Sequence, residues 1–201
     1  MRVVAVSQRI DVHIDRQERR DALDQRLCAW LVVAGYLPVP VPNSFETPAS
    51  DEKILQTWLD TLKPGAIVLS GGNDIGEVIE RDNTERQLLA YAQKHSLPAL
   101  GICRGMQMMG VWAGGELKPA QGHTRTRHAL CGELAGDVNS FHDYALAACP
   151  MGYTVTATTE DGCIEAIRHE NLAWEGWMWH PEREPSFRSR DLERLQKLFG
   201  E

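Results

Sequence analysis

No apolar run in this sequence approaches the length needed to cross a bilayer, which argues against a helical membrane span. The opening stretch from Met1 to Val6 gives way to Ser7-Gln8-Arg9, too short for a secretory leader. Basic charge is scarce: 21 Lys and Arg against 28 Asp and Glu leave a formal net charge of -7. No polycationic field is therefore available to hold nucleic acid. Cys-x-x-Cys pairs are missing too. The five cysteines (Cys28, Cys103, Cys131, Cys149 and Cys163) are odd in number and widely spaced, which favours free thiols over a disulfide frame or a zinc knuckle. Repeats, linkers and low-complexity tracts are lacking as well. Together these absences predict a cytoplasmic protein with neither membrane nor nucleic acid as partner.

What remains is an ordinary globular composition, 43% hydrophobic and 24% charged over 201 residues, enough for a single domain spanning residues 1–201. Val3 to Val6 reads as a buried parallel strand. A helix is expected from about Arg16, carrying Leu23, Leu27, Trp30 and Leu31 and stopping at Gly35, with Glu18-Arg19-Arg20 at its start. Leu37 to Val41 reads as an edge strand because of its prolines. A second helix carries Ile54 to Leu62, a strand covers Ala66 to Leu69, and Thr84 is expected to cap a third helix. Strand–helix alternation of this kind predicts an α/β fold, a mostly parallel open sheet with helices on both faces. Beyond Gly114-Gly115, short strands at Asp137–Phe141, Tyr153–Thr158 and Cys163–Ile167 predict an antiparallel extension. Trp174 to Trp179 reads as a final strand, and Asp191 to Leu198 as a closing helix.

Pro98-Ala99-Leu100-Gly101-Ile102-Cys103-Arg104-Gly105-Met106-Gln107 is a strand that ends in a sharp bend and starts a helix at once. A nucleophile on such a bend is exposed and strained, and glycines two residues to either side let other backbone approach, as in the serine elbow of hydrolases. A helix N-terminus also favours thiolate. Taken alone, the pattern fits equally a buried cysteine in a tight turn. In open parallel sheets, sites form at the carboxyl ends of strands, and Gln8-Arg9, Gly71-Gly72, Cys103 and His180 all fall there. His180-Pro181-Glu182 follows an apolar strand and supplies a base with an orienting carboxylate two residues on. Gly71-Gly72 and the Arg104 N–H can present backbone donors to an oxyanion. The plainer alternatives are a histidine beside a surface glutamate and an ordinary tight turn.

Ser70-Gly71-Gly72, Gly101 to Gln107, Val138-Asn139-Ser140-Phe141-His142 and His180-Pro181-Glu182, in this order along the chain, resemble the class I glutamine amidotransferase superfamily. Within it they resemble the γ-glutamyl-γ-aminobutyrate hydrolase-like (peptidase C26) branch. The resemblance implies a flavodoxin-like sheet, a Cys103–His180–Glu182 triad, a γ-glutamyl thioester, and hydrolysis of a γ-glutamyl amide without cofactor or metal. It places Gly72 and Arg104 at the oxyanion hole, and Gly71, Gln107, Asn139, Ser140 and His142 near the glutamyl head. The Ser7-Gln8-Arg9 start, Glu18 to Leu23 and the His123-Thr124-Arg125-Thr126-Arg127-His128 stretch are similar to the γ-glutamyl-CDP-amidate hydrolase subgroup of surface-polysaccharide biosynthesis. On that reading Arg9, Arg125 and Arg127 face a diphosphate, since arginine forks suit phosphate oxygens. If the stretch is extended, Arg125 and Arg127 point to one side; otherwise it is a solvated loop. His123 and His128 lack a third ligand at useful spacing, so no metal is expected. A glutaminase subunit serving a synthetase, a γ-glutamyl-γ-aminobutyrate hydrolase and a catalytically silent binding protein remain open, as does a homodimer.

Overall fold

A computed structural model describes residues 1–46 and 54–200. The chain begins with β1 (Arg2–Val6), β2 (Arg9–His13), β3 (Glu18–Ala22), α1 (Gln25–Val33) and β4 (Tyr36–Pro40). It continues through α2 (Ile54–Leu62), β5 (Ala66–Leu69), α3 (Ile79–Lys94), β6 (Ala99–Ile102) and α4 (Arg104–Trp112). Short strands follow: β7 (Leu117–Pro119), β8 (Thr124–Gly132), β9 (Gly136–Phe141), β10 (Tyr144–Leu146), β11 (Tyr153–Thr158) and β12 (Ile164–His169). β13 (Trp174–Trp177) and α5 (Ser189–Phe199) close the chain. Among the described residues no helix is long and apolar enough to cross a membrane.

Among the described residues, nine strands form one sheet in the order β4-β1-β5-β6-β13-β12-β11-β8-β9. The first five run parallel and the rest antiparallel, as the strand–helix alternation followed by short strands predicts. Side-chain alternation builds two cores. Val4, Val6, Val68 and Ile102 point to one face and pack under α1 and α5, whereas Ala5, Ile67, Leu69 and Ala99 point to the other, under α2, α3 and α4. β4 lies at the sheet edge, where its prolines cost no ladder bond on the open side.

Three local expectations are corrected. Residues 17–22 are not helical: a single 3-10 turn ends at Arg16, β3 pairs antiparallel with β2, Val12 opposite Arg19, and Gln17 turns the hairpin at φ 53°. Polar contacts hold this hairpin, with Arg19 on Glu80 at 2.6 Å and Asp21 accepting from Asn43, so hydrophobic spacing carried no signal of it. α1 starts only at Gln25, where Asp24 accepts from the Arg26 N–H at 2.8 Å. Thr84 does not cap α3; the helix begins five residues earlier at Ile79, and the Thr84 hydroxyl returns to the Glu80 carbonyl. The 123–128 stretch is no loop but largely strand β8. Arg125 sits in a bulge at φ 54°, which breaks the alternation expected to align it with Arg127.

Candidate active site

β6 ends at Ile102 and α4 begins at Arg104, so Cys103 alone makes the bend, at φ 51° and ψ -109°. Close approach makes this possible. A Cβ on Gly101 would sit 2.6 Å from the Gly105 carbonyl oxygen, and one on Gly105 would collide with the Leu69 carbonyl. The Cys103 N–H donates to the Trp177 carbonyl at 2.7 Å, extending the parallel pairing of β6 with β13. That register carries His180, three residues past Trp177, to the same end of the sheet. A Cβ on Gly71 would lie 2.7 Å from His180 Cε1 and 3.7 Å from Cys103 Cβ, so the three residues converge on one point.

His180 Nδ1 meets Glu182 Oε1 at 2.6 Å, and both side chains are buried. Burial works against the charged ring, but Glu182 and Cys103 beside it more than offset this and hold the imidazole up to about 9. The turn after β13 is fixed from two sides. Arg26 of α1 donates to the main-chain carbonyls of Glu182, at 2.7 Å, and Glu184. Asn139 of β9 accepts from the His180 N–H at 2.9 Å and donates to the His180 carbonyl at 2.8 Å and to Glu184 at 2.8 Å. Replacing Asn139 with Ala leaves the His180 N–H unpaired and its carbonyl with the Arg183 N–H alone, at 3.1 Å, an expected loss of roughly 1–3 kcal/mol in a denaturant melt. A larger fall in kcat than rise in KM would mark its effect as positioning of the ring.

Opposite the elbow, Gly72 adopts φ 100°, a conformation that glycine adopts without strain. Arg81, fully buried, donates to the carbonyls of Ser70 at 2.7 Å and Gly71 at 3.0 Å. Because a trans peptide points its C=O and N–H in opposite directions, holding the Gly71 carbonyl aims the Gly72 N–H the other way. Arg104, first in α4, has a main-chain N–H with no intrahelical acceptor. Its side chain is buried and pairs with Asp82 and Glu85, while Arg81 reaches Glu85 at 3.2 Å. Ser7 joins this network by donating to Glu85 at 2.7 Å and accepting from the Ser70 N–H at 2.9 Å. Burial lowers Arg81 to about 10 and Arg104 to about 9, yet two guanidiniums facing two carboxylates leave the cluster neutral.

The other expected residues divide. Gln107 donates to the Tyr144 carbonyl at 2.8 Å; Ser140 donates to the His123 carbonyl at 2.6 Å. His142 meets the Tyr144 carbonyl at 3.0 Å through Nδ1 and Glu165 at 3.2 Å through Nε2. A cavity of about 260 Å³ beside the elbow is lined by Arg9, Asp24, Gly71, Gly72, His180 and Arg183 among others. Arg125 and Arg127 lie outside that lining. Arg127 is instead occupied by Asp137 at 2.5 Å and Glu184 at 3.2 Å, and Arg125 is exposed. Trp179, buried and stacked on Trp177 at 5.3 Å, belongs to the core.

A thiol on a bend, a histidine–carboxylate pair and two backbone donors are groups that can serve amide cleavage through a covalent intermediate. The family model for class-I glutamine amidotransferases matches residues 25–196. A γ-glutamyl-CDP-amidate hydrolase of Campylobacter jejuni is 32% identical over 80% of this chain and 78% of its own. The chain belongs to the class-I glutamine amidotransferases. Relatives in this family include a GMP synthase of Blochmanniella floridana, 27% identical over 71% of this chain, which spans 30% of that synthase. Among solved structures, a Thermoplasma acidophilum protein provisionally described as one component of a GMP synthase shares the fold, with a TM-score of 0.74. It is 19% identical, and the match covers 99% of this chain and 94% of that one. A glutamine amidotransferase of Thermotoga maritima matches at 0.62, with 15% identity over 98% and 82% of the two chains.

Sequence reasoning missed Ser7, Arg81, Asp82 and Glu85 in this amidotransferase. Their one signal was a polar Arg81-Asp82 pair and Glu85 inside a helix, which reads as solvated surface until the fold buries it.

Proposed function

We propose that this amidotransferase homologue hydrolyses a γ-glutamyl amide through a thioester on Cys103. The convergence of Cys103, the His180–Glu182 pair and Gly71-Gly72 at one sheet edge carries the reading, and the hydrolase and glutamine-hydrolysing relatives support it. Cys103 Sγ attacks the amide carbonyl carbon, and the oxyanion meets the N–H groups of Gly72 and Arg104. His180, protonated in the resting site, passes its proton to the departing amine as the C–N bond breaks. Water then attacks the thioester with His180 as base; the sulfur leaves as thiolate, glutamate is released, and the thiolate beside the protonated imidazole is restored for the next turnover. Glu182 holds the ring's tautomer and charge. Gly71 lets the substrate approach, and Gln107 sits beside the glutamyl head. Asn139, Ser140 and His142 support that region through the contacts described above.

For the amine, a nucleotide-linked phosphoramidate is the favoured leaving group. The hydrolase relative of that substrate covers most of both chains, and Arg9 and Arg183 line the cavity beside the elbow, where phosphate oxygens find guanidinium donors. Comparing kcat/KM for γ-glutamyl-CDP-amidate, glutamine and γ-glutamyl-γ-aminobutyrate tests this. Preference for either small amide removes the nucleotide. The likeness to GMP synthase supports a second reading, a glutaminase serving a synthetase. Ammonia release that begins only when a synthetase is added would select it.

Because acylation uses the imidazolium, kcat/KM is expected to fall on the alkaline side near the raised value of about 9. Glu182→Gln removes the main charge supporting the ring and moves that limb toward the ordinary histidine value of about 6.5. A pH–rate profile reads both, and a limb that stays in place would remove Glu182 from the mechanism.

A further inference from the structure

A second constellation lies within the antiparallel extension. His123 just before β8, His142 just after β9, Cys163 just before β12 and Glu165 on β12 are all buried, and one candidate ligand atom from each lies within 4.8 Å of the others. His123 Nδ1 and His142 Nε2 stand 3.3 and 3.2 Å from the same Glu165 oxygen. The outer nitrogens are already committed. His142 Nδ1 faces the Tyr144 carbonyl at 3.0 Å, and a carbonyl only accepts, so that nitrogen carries the hydrogen. His123 Nε2 faces Asp161 at 2.9 Å, and the same logic puts its hydrogen there.

With those hydrogens on the outer nitrogens, the inner nitrogen of a neutral ring turns its lone pair to a buried carboxylate oxygen. Such an arrangement repels unless positive charge lies between the atoms. His123 Nδ1 and Glu165 Oε2 have no hydrogen-bond partner among the described residues, although their side chains are only 2% and 0% exposed. Ligand atoms about 2.0 Å from a tetrahedral zinc lie about 3.3 Å apart, as each histidine nitrogen and Glu165 do here, within a set that spans up to 4.8 Å. Each imidazole also has its far nitrogen on a carboxylate or a carbonyl, the outer-shell pattern that orients metal-bound histidines. Asp161 is itself held by Thr159 and by the Cys163 N–H at 3.1 Å.

We propose that His123 Nδ1, His142 Nε2, Cys163 Sγ and a Glu165 oxygen hold one zinc ion in a closed, structural tetrahedral site. On binding, the Cys163 thiol releases its proton to solvent as the Zn–S bond forms, and both imidazoles bind as neutral ligands. Thiolate and carboxylate cancel the dication, so the buried centre carries no net charge. A thiolate with two imidazoles favours zinc over calcium or magnesium, which take oxygen ligands. Spacing along the chain concealed the set because its members come from three strand ends. The site fastens the end of β9 to β12, and the Tyr144 carbonyl that orients His142 also receives Gln107.

The test is metal loading of the chelator-stripped full chain, followed by desalting. Wild type is expected to retain about one zinc per chain and to melt at a higher temperature with it. Cobalt is expected to give a sulfur-to-cobalt charge-transfer band and visible bands of tetrahedral intensity. Cys163→Ser loses the charge-transfer band, Asp161→Asn weakens zinc about 10–100-fold, and Cys131→Ser changes nothing. Should Cys163→Ser fail to fold, the wild-type cobalt spectrum and Asp161→Asn decide. Folded, stripped wild type that retains no zinc and shows no cobalt–thiolate band overturns the site. So does a band that survives Cys163→Ser and disappears in Cys103→Ser.

Discussion

Cys103→Ala is expected to lower γ-glutamyl amide hydrolysis by at least about 10⁴-fold while leaving the fold intact. In the proposed mechanism the thiol supplies the covalent bond, and without it only the backbone donors and substrate positioning remain. Cys103→Ser should be nearly as damaging, because the ring is poised by its sulfur neighbour and an alkoxide is a much harder anion to form. Stability should change little, since alanine fills the same left-handed position at φ 51° and the helix it precedes is held by Gly105 against Leu69. Labelling by a γ-glutamyl electrophile, read by intact mass, should mark one site in the wild type and none in Cys103→Ala. Labelling that persists in the variant would move the nucleophile to one of the other four free cysteines; unchanged turnover would remove the mechanism.

Arg104→Met is expected to cost about 3–5 kcal/mol, a large part of the stability of an ordinary domain. Methionine roughly fills the space, but it takes the guanidinium from the buried Asp82, which keeps only the Gly76 N–H at 2.9 Å, and leaves Glu85 to Arg81 and Ser7. The main-chain N–H of residue 104 survives the substitution, so what folded protein remains should keep a measurable kcat. Urea titration and single-turnover kinetics on the soluble fraction separate the two effects. A variant as stable as wild type would show that the four charges contribute no net stability.

These residues also mark how far the sequence was legible. The elbow announced itself because a bend between strand and helix needs glycines at fixed places, and Gly101 and Gly105 are there to be read. β5, β6 and α2 were equally plain, their apolar faces following the periods of strand and helix. The β2–β3 hairpin was not, because its contacts run through Arg19, Asp21 and Glu80, and polar partners leave no periodicity. Arg81, Asp82 and Glu85 were hidden for the opposite reason: charge reads as surface, and only the three-dimensional arrangement shows four charges cancelling in the core. Asn139, Ser140 and His142 were singled out by resemblance alone, and their hydrogen bonds to main chain and neighbouring side chains could come only from coordinates.

Asn139 carries one more consequence, for how the molecule ages. An asparagine followed by serine is chemically fragile, since the Ser140 nitrogen can attack the side-chain carbonyl and expel ammonia, and water then opens the resulting succinimide to aspartate or isoaspartate. Here the extended strand keeps that nitrogen from its target, and the amide is pinned at both ends by the main chain of His180. Conversion to aspartate would turn the donor into an acceptor facing another carbonyl. The contact that aims the imidazole therefore also slows the decay that would misalign it.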